Sequence, residues 1–157
     1  MAHLSGHCTC GDIRFVTGAP VMRALCHCNI CKAYHGRDFA DFTIFRTSAF
    51  REESTGSVTY EVKKQPPLLK RGTCDNCAAP ILERLTMPGL PKMMLIPTRW
   101  LTEQDQLPEP SFHMFYDLRV QDAADDLPKA NGYLGSQILF ARHFLPAVLS
   151  GKGKSAA

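Results

Sequence analysis

No stretch of 18 or more apolar residues occurs in this chain, so none of it reads as a membrane-crossing helix. Nor is there a run of five or more lysines and arginines, and the formal charge is only +3 over 157 residues, so no nucleic-acid partner is expected. The opening Met1-Ala-His-Leu-Ser-Gly6 lacks both the basic start and the apolar stretch of a secretory signal, and the expected compartment is the cytoplasm. Internal repeats, low-complexity blocks and clear linkers are missing too. A chain of this length suits one domain with its own core.

Cysteine is not scarce. Seven fall as Cys8-Thr-Cys10, Cys26-His-Cys28-Asn-Ile-Cys31 and Cys74-Asp-Asn-Cys77, and none stands apart. These spacings let sulfurs converge on one ion, and zinc takes thiolates at about 2.3 Å. A disulfide framework fits poorly, because the count is odd, C-x-C thiols pair badly with each other, and no oxidising compartment is indicated. A closed structural zinc takes four ligands, so seven divides into four plus three. A three-thiolate zinc keeps a position for water or substrate. In an extended segment residues i and i+2 face one side, so Cys8 and Cys10 bind one ion together. The Cys74–Cys77 knuckle completes that structural site across more than sixty residues, and the metal then restricts a large unfolded ensemble. Cys26, Cys28 and Cys31 remain for a second zinc. Closing it would need a fourth donor, for which His35 is the candidate, while His27 points away from its flanking cysteines. His3, His7, His113 and His143 share no ligand spacing and read as surface or packing residues. Two zinc ions on seven thiolates contribute +4 and −7, which brings the net charge to about zero.

Eleven prolines and eleven glycines shorten any regular element and favour strands joined by turns. Strand-like runs bounded by turn residues are Asp12–Val16, Val21–Leu25, Asp41–Phe45, Ser57–Val62, Pro80–Arg84 and Met93–Ile96. Asn29–Tyr34 suits a helical turn, as does Trp100–Gln106 with Thr102 as its cap. Gln137–Ser150 reads as a short apolar helix interrupted at Pro146, and the end from Gly151 as a disordered tail. The fold class is mainly β, a small zinc-stapled β-sheet domain with short helical turns. Its expected parts are a zinc-binding β domain over 1–135, an apolar extension over 136–150 and the tail over 151–157.

Gly6-His-Cys8-Thr-Cys10-Gly-Asp-Ile-Arg-Phe15 resembles the opening of the glutathione-dependent formaldehyde-activating enzymes and their relatives, among them centromere protein V. Cys26 to Cys31 with Lys32-Ala-Tyr-His-Gly36 is similar to that family's second motif, and Cys74-x-x-Cys77 to its third. His113–Arg119 with Leu127-Pro-Lys129 is similar to its closing segment. The resemblance implies a carbon–sulfur lyase that adds glutathione to formaldehyde, with Cys26, Cys28 and Cys31 as catalytic ligands of the open zinc. A thiol entering that position binds as thiolate, because the cation lowers its pKa. Three thiolates leave the metal a modest Lewis acid, so delivery of the thiol is the expected role. The carboxylates of such a thiol need cationic partners; Lys32, Arg37, Arg71 and Arg119 are candidates, and each reads equally as a solvated surface charge. The family commonly has glycine where this chain has Ala78, and the segment after Gly135 runs past the matched pattern. The alternatives are a non-catalytic zinc-stapled binding module, which has no use for an open metal position, and a related enzyme acting on a different thiol adduct.

Overall fold

A strand covered on both faces has no polar side, and Ala40–Arg46 (β4) is such a strand: six of its seven residues are buried and only Asp41 is partly exposed. The computed structural model describes residues 3–154. It places β4 inside a seven-stranded sheet with Met22–Cys26 (β3), Val58–Val62 (β6), Leu69–Cys74 (β7), Pro80–Leu85 (β8), Met93–Pro97 (β9) and His113–Met114 (β10). The strand order is β10-β3-β4-β9-β8-β7-β6, antiparallel except where β10 runs parallel to β3. A second sheet of three strands is made of Leu4–His7 (β1), Arg14–Thr17 (β2) and Phe50–Glu52 (β5). Two α-helices complete the chain, Asn29–His35 (α1) and Gly132–Leu149 (α2). The protein is mainly β, and no helix among the described residues is long and apolar enough to cross a membrane.

Alternation along β4 builds two cores. Phe42 and Ile44 face one cluster with Met22, Ala24, Met93 and Leu95, and α2 covers it with Phe144, Ala147 and Val148. Phe45 faces the other cluster with Ile81, Met94 and Ile96, which the small sheet covers with Leu4 and Phe15. The large sheet is therefore the middle layer.

Several elements differ from their sequence expectation. The apolar C-terminal segment forms a longer helix, beginning at Gly132 and running through Pro146. Proline there removes one N–H in the last turn, and buried Phe144 before it and Ala147 and Val148 after it hold the backbone in place. The expected boundary at 135 falls inside this helix. The start of the expected tail is ordered: Arg46 donates from Nε to the Lys152 carbonyl and from Nη2 to the Val148 carbonyl, both at 2.8 Å. Residues 155–157 of that tail lie outside the described residues.

Trp100–Gln106 is not one turn: it takes in the end of one 3-10 turn, Thr98–Trp100, and the whole of another, Gln104–Gln106, and Thr102 does not cap. The Ser5 N–H and hydroxyl both donate to Glu103, at 2.8 and 2.9 Å, which ties this segment to β1 instead. β1, β5, β7 and β10 carry no clear strand signal. In β7 the reason is composition, because Leu69-Lys-Arg-Gly-Thr-Cys74 reads as polar. Yet a Cβ on Gly72 would come within 2.6 Å of Val58 and 2.7 Å of the Tyr60 ring, so only glycine lets these strands pack.

Candidate metal centres

The seven thiols gather as two groups, Cys8 with Cys10, Cys74 and Cys77, and Cys26 with Cys28 and Cys31. Within each group the sulfurs lie within 4.8 Å of one another. All seven are free of disulfides.

The first group joins the two sheets. Cys8 and Cys10 sit in the turn after β1, while Cys74 ends β7 and Cys77 lies in the turn to β8. A register shift between Gly72 and Thr73 in the β7–β8 ladder re-aims the end of β7 toward them. Cys8 Sγ is 3.4 Å from Cys10 Sγ, and Cys74 Sγ is 3.8 Å from each. A tetrahedron with metal–sulfur arms of about 2.3 Å has edges of about 3.8 Å, so these sulfurs fit a single ion. The knuckle requires a left-handed residue, and it is Ala78 at φ 57°, held by its N–H on the Cys74 carbonyl at 2.9 Å. The turn is made with an L side chain at the cost of strain. Burial pushes the Cys74 thiol up to about 12. Burial also pushes the Cys77 thiol up, but hydrogen bonds from the Cys10 and Ala79 backbone and from the neighbouring thiols outweigh it and bring it down to about 6.

The second group is built by one strand end and one helix start. Cys26 closes β3, Cys28 caps α1, and Cys31 lies in its first turn, its N–H donating to Cys28 Sγ at 3.3 Å. Cys26 and Cys31 are buried, whereas Cys28 is partly exposed, so solvent reaches the group from one side. Hydrogen bonds from Cys26 and Cys31 hold the Cys28 thiol far below its ordinary value, and Cys28 in turn pushes Cys26 up to about 12. Three thiols this close release their protons when a cation binds. This donor set suits a thiophilic metal.

His35 does not complete it. Its ring is buried, with Nε2 3.3 Å from Glu83 Oε1, and it is not part of the group that shares the 4.8 Å limit. Arg71 is also no surface cation. It is buried, its Nε is 3.1 Å from Glu83 Oε2, and its Nη2 donates to Cys31 Sγ at 3.6 Å. Burial pushes its guanidinium down, but Glu83 and then Cys31 more than offset this, so its pKa ends above the ordinary value. Tyr34 clamps the helix from above by donating to the Gly72 carbonyl at 2.6 Å.

The other expected cations are dispersed. Lys32 donates to the Leu118 carbonyl at 2.6 Å, and Arg119 to Asp122 at 2.5 Å while lying over the Tyr116 ring. Arg37 lines a cavity of about 540 Å³ with Arg99, Phe39 and Asp41, and none of the seven cysteines lines it. His113 is not a surface or isolated packing residue. It donates from Nε2 to Asp125 Oδ2 at 3.0 Å, and its Nδ1 accepts from His27 Nε2 at 2.9 Å, a set of tautomers that the carboxylate at one end dictates. His27 thus points away from the sulfurs, as its place in an extended segment implies. The spacing of His27 and His113 gives no sign of this pairing, because strand pairing of β10 with β3 alone brings them together.

The family profile described as glutathione-dependent formaldehyde-activating enzyme matches residues 3–118. That span holds both thiol groups and ends before α2. Among curated proteins, none matches the chain by sequence. Among solved structures, the crystal structure of a Rhodobacter sphaeroides protein superimposes with a TM-score of 0.51 at 18% identity, over 68% of this chain and 97% of that one. At that identity the likeness is one of fold.

Proposed function

The chain belongs to the glutathione-dependent formaldehyde-activating enzyme family, and from this premise we propose that it is a zinc-dependent carbon–sulfur lyase. Its reaction joins glutathione or a similar thiol to formaldehyde or a similar aldehyde. A carbon–sulfur bond forms, and the thiol proton ends on the former carbonyl oxygen, giving an S-hydroxymethyl adduct. The observation that carries this reading is the second thiol group. It offers three sulfurs, one of them on a partly exposed residue, and His35 is turned to Glu83 instead.

In this reading Cys8, Cys10, Cys74 and Cys77 hold a structural zinc, and Cys26, Cys28 and Cys31 hold the zinc at which chemistry occurs. A zinc in the second group supplies an open position and the positive charge that keeps an incoming thiol ionised. The chain supplies the rest. Cys28 presents its sulfur on the accessible side, so substrate approaches past it. Buried Cys26 and Cys31 keep water from the far side. The seven reduced thiols suit a cytoplasmic setting.

The test is the rate at which formaldehyde and glutathione reach equilibrium. Wild type should accelerate it, and Cys28→Ser should not. Equal rates with and without protein would overturn the enzymatic reading and leave a zinc-stapled binding module.

A further inference from the structure

We propose that Arg71 is a positioning residue for the three-thiol centre, whose buried guanidinium hydrogen-bonds the Cys31 sulfur and so lets an already anionic site accept a fourth thiolate. The inference rests on the proposed reading of that centre as a thiol-binding metal site.

Charge makes the case. Three thiolates around a divalent ion leave a net −1, and a substrate thiolate would make it −2. Cys26 and Cys31 are 4% and 8% exposed, so water screens little of this on the inner side. Among the described residues, Arg71 is the one cation whose side chain is bonded to a sulfur of this group. Lys32, four positions from Cys28 and one from Cys31, turns instead to the Leu118 carbonyl.

Geometry makes it specific. A guanidinium is a rigid planar fork, and here one edge meets Glu83 while an outer nitrogen meets Cys31. Glu83 is held in turn by His35 from the far end of α1, the helix that carries Cys31. Arg71 therefore lies with its Nε 3.1 Å from the Glu83 carboxylate and its Nη2 on the Cys31 sulfur. A buried pair of this kind seldom adds stability over an apolar pair of equal size, which leaves the neighbouring sulfur as the reason for the charge. Hydrogen bonds from outside the ligand set tune thiolate donation to a metal, and their loss typically costs 10- to 100-fold in affinity or activity.

The experiment uses the full chain loaded with cobalt(II), whose sulfur-to-metal charge-transfer bands report on each thiolate. Arg71→Met alone would strand the Glu83 carboxylate, so the informative variant is Arg71→Met combined with Glu83→Gln. Arg71→Lys is the charge-conserving rescue. The four-thiol centre in the same molecule is the internal control. In the double variant, the charge-transfer band of the three-thiol centre should move to lower energy, because its sulfur has lost a donor. The four-thiol band should stay put, and glutathione affinity at the three-thiol centre should fall about 10- to 100-fold. Arg71→Lys should recover much of both, and Glu83→Gln alone should leave the band near its wild-type position. An unshifted band in the double variant overturns the proposal, as does an equal shift in Glu83→Gln alone. If wild type binds no glutathione, the thiol-binding reading fails on that arm, while the band shift still decides whether Arg71 acts on the sulfur.

Discussion

Nε2 of His27 and Nδ1 of His113 lie 2.9 Å apart, although 86 positions separate them in the chain. The rings stack at 5.2 Å between centroids, and Asp125 anchors the outer end. Burial, and then the neighbouring His113, holds the His27 pKa down to about 4. An unfolded histidine titrates near 6.5, so between these values the unfolded chain binds the extra proton. The stability from neutral His27 is therefore complete above about pH 6.5 and is lost as pH falls toward 4. Urea unfolding of the metal-loaded protein across this window should show a slope that His27→Gln reduces, by up to about 3 kcal/mol in total. Identical slopes in the two proteins would show that His27 contributes nothing to it.

Ala78 occupies a left-handed conformation that costs an L residue about 1–2 kcal/mol relative to glycine. Ala78→Gly should stabilise the protein by about 1 kcal/mol, less the entropy that glycine adds to the unfolded chain. Denaturant midpoints with both centres loaded would measure it. A lowered midpoint would mean that the knuckle gains something from the alanine methyl that outweighs its strain.

Metal content separates the two centres. Protein purified without chelator should carry two zinc ions per chain, and the four-thiol ion should resist removal longer. Structural zinc contributes about 10 kcal/mol or more to folding in small zinc domains, so Cys8→Ser or Cys74→Ser should yield unfolded or insoluble protein. Cys28→Ser should stay folded with one zinc. Unfolding of Cys28→Ser to the same degree as Cys74→Ser would make the second centre structural.

Glutathione should alter the cobalt spectrum of the three-thiol centre alone, toward four sulfur ligands. Oxidised glutathione has no thiol to ionise and should change nothing. A response to both would point to binding through some group other than the sulfur.

Phe144 is 1% exposed within the core that also holds Cys26 and Phe42. Phe144→Ala should cost about 3–5 kcal/mol, as for a phenylalanine removed from a packed core. A cost under 1 kcal/mol would show that α2 packs loosely and that the sheet is stable without it.

The local chemistry of this protein is written in short spacings. C-x-C in an extended segment and C-x-x-C in a turn each direct two sulfurs to one point, whatever lies elsewhere in the chain, and six short runs bounded by turn residues, several of them alternating, announce a β protein. Even the odd number of thiols carries the division into four and three. What surrounds the thiols was not legible, because it depends on which strands lie side by side. Arg71 meets Cys31 across 40 positions, His35 meets Glu83 across 48, and His27 meets His113 across 86. No spacing encodes those meetings. Arg71 and His113 read from sequence as an ordinary cation and an isolated histidine, and burial between packed layers turned each into a partner of the cysteine segment. α2 runs longer than its local sequence suggests for the same reason. Pro146 disfavours a helix locally, and only the packing of Phe144, Ala147 and Val148 against the sheet overrides it.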